Sequence, residues 1–224
     1  MKRVYVDVDT QHDFCAADGA LFVAGAPTAM PWCAKLVAEA VRDGAPLVGS
    51  VDSHAHNAWE FATNGNLGPH GEKPGFPPHC VKGTPGWLKL PETLPARFVF
   101  VPVVPDVEAV ARIPSGTQGV YFEKEVYSLF VNPNAARVLD ALAPEGPVEF
   151  VVFGVATDYC VRAAALGLVD WIATRPGRAG SRVVVASDAI AAVTAEGGAA
   201  ACAEMSAAGV VFAPTATLLG GVAA

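Results

Sequence analysis

Seven short Val-rich runs punctuate this chain, and Ala- and Leu-rich stretches with helical periodicity lie between several of them. Unbroken apolar runs suit strands buried on both faces, and connections long enough to hold a helix suit parallel pairing. The alternation predicts an α/β fold, a three-layer sandwich in which helices cover both faces of a parallel sheet. Strands are expected at residues 4–8, 47–51, 98–101, 120–122, 148–155, 183–186 and 210–212. Helices are expected at 28–42, 134–142, 158–172 and 195–208, with Thr28 and Asn134 at helix starts and Gly44 and Gly209 at helix stops. Between residues 53 and 95 the rhythm disappears into a long stretch rich in Gly, Pro, His and Trp, and loops of that length in compact domains are usually functional.

With 224 residues, 52% of them apolar and 17% charged, the chain can bury a sizeable core. A single domain over 1–224 is expected, with a metal-binding loop region at about 52–95. A formal charge of -7 and no basic stripe argue against nucleic acid as a partner. No apolar run is long enough for a membrane span, and the start lacks a signal-peptide core, so no membrane partner and a cytoplasmic location are expected. Five cysteines, at 15, 33, 80, 160 and 202, form no CxxC pair and read as reduced thiols.

Open parallel sheets bind ligands beyond the carboxyl ends of their strands. Asp9, Gln11 and Asp13 follow the first run, Asp52 and His54 the second, Lys124 the run at 120–122, and Ala156-Thr157-Asp158-Tyr159-Cys160 the longest. Cys160 falls in the first turn of an expected helix capped by Thr157 or Asp158. A helix amino end favours the thiolate, and Lys124 brought near would move an ordinary thiol pKa of ~8.5 toward neutrality. Asp9 could then take the thiol proton and return it to a leaving amine, while backbone amides of the turn receive an oxyanion. Taken singly, Cys160 reads as a buried spacer and Lys124 as a surface residue; their joint placement with Asp9 after three strands carries the reading.

Asp52-Ser53-His54 puts a carboxylate and an imidazole on one side of an extended chain. His79 with either Glu60 or His56 would complete a mixed nitrogen and oxygen site suited to zinc, iron or manganese, and His70 is a further candidate. A solvated, His-rich loop accounts for the spacing equally well.

The segments VDVDTQHDFC, DSH, FPPHCVKGTPG, FEK and GVATDYCVRAAA, in that order, resemble the motifs of the isochorismatase-like cysteine hydrolases, most closely the nicotinamidases (pyrazinamidases). The resemblance runs through nearly the whole chain. It implies a mostly parallel six-stranded sheet and a Cys-Asp-Lys triad of Cys160, Asp9 and Lys124. It also implies a cis peptide before Ala156 that helps aim the Ala156 and Cys160 amides at the oxyanion. Phe14 and Phe76 would flank a flat substrate ring, with Tyr127, Val155 and Tyr159 beside it. One divalent ion (zinc, iron or manganese) would be held by Asp52, His54 and His79. Glu60 stands where many relatives carry a further histidine, and it is expected as the fourth ligand with His56 as the fallback. The implied partners are a small-molecule amide such as nicotinamide, cleaved to nicotinate and ammonia through a thioester, and further copies of the chain in a homo-oligomer.

Two departures qualify this. The interval from Lys124 to Tyr127-Ser128-Leu129-Phe130 is shorter than in many nicotinamidases, which makes another small-amide hydrolase of the superfamily the nearest alternative. Residues 97–117 are longer and richer in Val and Pro than the resemblance leads one to expect. A non-catalytic metal-binding protein on this fold would have no need of the acid, base and thiol. A dinucleotide-binding oxidoreductase lacks support, because no GxGxxG follows Val8.

Overall fold

Every Val-rich run becomes a strand. The computed structural model describes residues 1–69 and 71–220. Its strands are β1 (Lys2–Val8), β2 (Leu47–Asp52), β3 (Phe98–Val101), β4 (Gly119–Lys124), β5 (Val148–Val155), β6 (Arg182–Ala191) and β7 (Val211–Ala213). All belong to one sheet of seven strands in the order β3-β4-β2-β1-β5-β6-β7. The expected six strands are therefore corrected to seven, because Val211–Ala213 registers on Val184–Ala186 and closes one edge. Each pairing is parallel, where only a mostly parallel sheet was expected.

Side chains along a strand alternate between faces, and β1 shows which layer each face meets. Tyr5 packs with Val151, Phe153 and Val184 under α2 (Ala26–Asp43) and α6 (Thr215–Leu218). Val4, Val6 and Val8 pack with Phe150 and Val152 under α3 (Ala135–Leu142), α4 (Arg162–Ala173) and α5 (Ala195–Ala207). Three layers result. A four-residue helix, α1 (His12–Cys15), lies in the loop after β1.

Helix ends depart from expectation for local reasons. α2 begins at Ala26, ahead of Thr28, because Pro27 occupies its first turn, where a missing amide proton costs nothing. Gly44 ends it in the left-handed region at φ 60°. Asn134 stands at the start of α3, but its side chain is engaged elsewhere: Oδ1 accepts from Asp106 N at 2.9 Å, and Nδ2 donates to Val104 O at 2.8 Å. Asn132 Nδ2 donates to Val101 O and to Glu123 O, each at 2.9 Å. These two amides pin the segment after β3, and Ala109 anchors it in the core, which accounts for the unexpected stretch near 97–117.

Topology locates the site. The chain leaves β1 toward β2 on one side and later returns to β5 on the other, so connections diverge at β1. A crevice opens at such a divergence beyond the carboxyl ends. Among the described residues, no helix is long and apolar enough to cross a membrane.

Gly154 makes the central pairing possible. Its φ is 118°, and a Cβ added there would lie 2.0 Å from Val8 O. Gly154→Ala is expected to cost about 2–3 kcal/mol, read as a lowered denaturation midpoint in urea. An unchanged midpoint would mean that β1 and β5 are not so closely apposed.

Candidate active site

Four adjacent strands deliver the site: Lys124 ends β4, Asp52 ends β2, Asp9 follows β1, and Cys160 follows β5. Lys124 Nζ lies 2.8 Å from Asp9 Oδ2 and 3.4 Å from Cys160 Sγ, and it also donates to Asp52 Oδ1. The Lys124 and Asp9 side chains are fully buried. Asp9 turns out of the strand with φ 47°, and Ser50 Oγ, on the neighbouring strand, donates to its Oδ1 at 2.8 Å. Ser50 was missed by sequence reasoning, although a lone hydroxyl in the apolar run 47–51 was a usable signal.

The electrostatics are those of a buried ammonium between two carboxylates. Burial opposes charge on Lys124, yet Asp52 and Asp9 outweigh it and hold the ammonium well above its usual range. Burial raises the Asp9 carboxyl, and Lys124 opposes that shift without cancelling it. Asp52 is also buried, but Lys124 and the two imidazoles beside it bring its pKa well below the usual value. The expected depression of the thiol pKa is corrected. Burial pushes Cys160 well above an ordinary thiol, Lys124 pulls the other way, and the Asp9 and Asp52 charges add to the rise.

The turn carrying Cys160 also differs from expectation. Thr157–Val161 forms a wide π-type turn before α4, with neither Thr157 nor Asp158 capping it. Asp158 instead accepts from Val193 N at 3.0 Å and Thr194 N at 3.1 Å, which ties the Cys160 turn to the start of α5. The Val155–Ala156 peptide is cis, as the resemblance implied.

Beside the triad, Asp52, His54 and His79 converge, each offering a ligand atom within 4.8 Å of the others. Glu60 Oε1 is 2.9 Å from His54 Nε2 and 3.4 Å from His79 Nε2. Asp52 Oδ2 lies 3.7 Å from His54 Nε2 and 3.8 Å from His79 Nε2. Ligands about 2.0–2.2 Å from a tetrahedral metal stand about 3.3–3.6 Å apart, so this spacing suits one ion. Nδ1 of buried His54 has no hydrogen bond, and its Nε2 is held against the Glu60 carboxylate. His79 Nδ1 bonds Pro77 O at 2.8 Å, which leaves Nε2 as the lone-pair nitrogen facing the cluster. Burial pulls the His54 imidazolium down, but Asp52 and Glu60 outweigh it and lift its pKa to about 9. Asp52, His54 and His79 could together hold a metal ion. His56 is exposed, whereas buried Glu60 contacts both imidazoles of the cluster; His70 lies outside the described residues.

Two residues of the first loop hold these ligands from behind, in roles the sequence did not reveal. The Gln11 side chain accepts from Asp52 N at 2.8 Å and donates to Asp52 O at 2.9 Å. Asp13 Oδ2 accepts from Cys80 N at 2.7 Å, next to His79. A narrow crevice of about 50 Å³ reaches Cys160, Ala156, Glu60 and His79. Phe14, Phe76, Tyr127 and Tyr159 line it as expected, and Leu21, Val23 and Val193 join them unforeseen. Val155 does not line it; it is wholly buried in the layer under α2.

A parallel α/β sheet that brings thiol, carboxylate and ammonium to neighbouring strand ends holds the groups that nucleophilic catalysis uses. The chain belongs to the isochorismatase family, whose domain model matches residues 4–217. Over 176 residues it is 32% identical to the nicotinamidase/pyrazinamidase of Mycobacterium tuberculosis, covering 77% of this chain and 82% of that one. Among solved structures, it resembles the pyrazinamidase of Pyrococcus horikoshii in complex with zinc, with TM-score 0.70, 26% identity and coverage of 96% and 99% of the two chains. It also resembles L. infantum PnC1 in complex with nicotinate, with TM-score 0.66, 25% identity and coverage of 96% and 93%. With these relatives, the chain is a hydrolase acting on amides.

Proposed function

We propose that this enzyme hydrolyses nicotinamide to nicotinate and ammonia, with Cys160 as nucleophile. The observation that carries the reading is the contact of Lys124 Nζ with both Asp9 Oδ2 and Cys160 Sγ at the floor of an aromatic crevice. In the resting enzyme the sulfur is a thiol, because burial and two nearby carboxylates disfavour thiolate. Asp9 takes the proton as sulfur attacks the amide carbon, and a carboxyl raised by burial suits that exchange near neutral pH. Lys124 stays charged throughout and offsets the negative charge shared by sulfur and Asp9. The Ala156 and Cys160 amides receive the oxyanion. Asp9 returns its proton to the leaving nitrogen, ammonia departs, and a thioester remains. Asp9 then deprotonates a water that cleaves the thioester, and the thiol is restored.

Asp52, His54, His79 and Glu60 would hold one divalent ion, of zinc, iron or manganese, and when bound it would supply a Lewis acid for a ring nitrogen. Phe14, Phe76, Tyr127 and Tyr159 would sandwich a flat ring between aromatic faces. The enzyme on this reading is a cytoplasmic homo-oligomer that acts without nucleic acid or membrane.

The test is ammonia release from purified protein given nicotinamide, pyrazinamide or aliphatic amides, with and without prior chelation. Release from the pyridine amide, falling at least about tenfold after chelation and restored by added metal, is the expected result. Turnover of aliphatic amides alone would transfer the assignment to another small-amide hydrolase.

A further inference from the structure

Two cavities reach the carboxylate–imidazole cluster, and they differ in kind. The crevice above Cys160 measures about 50 Å³ and is walled mainly by Phe14, Phe76, Tyr127 and Tyr159. The second cavity measures about 250 Å³ and is lined by His54, Ala55, Asn57, Ala58, Trp59, Glu60 and Glu125. Both touch Glu60, so the cluster stands between them.

We propose that the second cavity is the port through which the metal ion is loaded, with Glu125 at its mouth as the attracting charge, while the aromatic crevice serves the substrate alone. The proposal rests on the metal reading above. Volume is the first argument. A hydrated divalent ion carries about six waters, and at about 10–15 Å³ of cavity space each they need about 60–90 Å³. The second cavity exceeds that need; the crevice falls short of it. Polarity is the second argument. Partly stripped ions are costly to pass along apolar walls, whereas the second cavity is lined by exposed Asn57 and Glu125 and by the buried Glu60 carboxylate. The third is an accepting group at the inner end. Buried His54 lines this cavity; its Nδ1 has no hydrogen bond and its Nε2 faces Glu60 Oε1 at 2.9 Å. An ion arriving there could exchange waters for an imidazole and the Glu60 oxygen before meeting Asp52 and His79. Opposite charge at an entrance accelerates encounter, and the overall charge of -7 also attracts a cation.

A port and a ligand leave different kinetic marks. Apoprotein prepared by chelation is mixed with Co²⁺, and uptake is followed by the visible absorption of the bound ion; release is followed after adding excess chelator. Ala58→Trp, which narrows the cavity, is expected to slow uptake and release by the same factor, about tenfold, with Kd unchanged. Glu125→Gln is expected to slow uptake about threefold at low salt and not at high salt. Phe76→Ala, which widens the crevice, is expected to leave uptake as in the wild type. Faster uptake by Phe76→Ala together with wild-type rates in Ala58→Trp and Glu125→Gln would overturn the port and assign entry to the crevice. A wild-type apoprotein that takes up no Co²⁺ would overturn the metal reading itself, and the port with it. Should Ala58→Trp fail to fold, the salt dependence of Glu125→Gln decides alone.

Discussion

Cys160→Ala is expected to lower ammonia release from nicotinamide by at least about a thousandfold while leaving the fold intact. Among the described residues that line the crevice, Cys160 carries the only thiol, and thiolate is both a strong nucleophile and a good leaving group. Stability should change by no more than about 1–2 kcal/mol, because the substitution removes a single buried atom and adds no polar group. Loss of turnover with an unchanged denaturation midpoint separates chemistry from folding. The raised thiol pKa adds a second readout. In the free wild type, alkylation of Cys160 by iodoacetamide at pH 7 should be slower than that of an exposed peptide thiol, and it should rise with pH. Wild-type turnover by Cys160→Ala would remove the covalent mechanism altogether.

That second readout marks where the sequence stopped being informative. The Val-rich runs disclosed the strands because a sheet covered on both faces leaves almost no polar position inside it. Polar residues just past those runs therefore had to sit on one rim, and Asp9, Asp52, Lys124 and Cys160 do. What the runs could not disclose is the balance of forces once the groups meet. Proximity of Lys124 to sulfur was anticipated; the full burial of both, and the two carboxylates on the other side, reverse the sign of the thiol shift. Long-range partners were equally hidden. The Asp7 carboxylate, buried in β1, lies 2.9 Å from the fully buried Lys89 ammonium, which ties the long loop to that strand. Asp158 looked like the cap of its own helix and in fact holds the start of α5. The resemblance undercounted the strands, whereas the Val-rich runs counted seven, because a three-residue edge strand still needs apolar residues against β6.

Lys124→Met tests the electrostatics of the triad, and it should damage stability as well as turnover. In the wild type, the ammonium faces Asp9 Oδ2 and Asp52 Oδ1, all three groups being buried. Methionine matches the length of the lysine stem but leaves the two carboxylates without the ammonium that both contact. Removing one partner from a buried ion pair costs about 3–5 kcal/mol. The pH dependence gives the sign. Asp52 in the wild type has its pKa well below the usual carboxylate value, so its contribution is present above about pH 4 and is lost only as the solution becomes more acidic than that. Without Lys124, burial and mutual repulsion would raise both carboxyl pKa values above those of the unfolded chain. The variant should then recover stability as pH falls from 8 toward 5, because protonation relieves the buried charge. Urea denaturation of chelated wild type and Lys124→Met across that range measures the gap between them, which should narrow on acidification. A gap that is absent at pH 8, or that stays constant down to pH 5, would show that the Lys124 charge does not hold Asp9 and Asp52 in place. Turnover should remain at background across the range, since protonating Asp9 restores stability at the expense of the group that must accept the thiol proton.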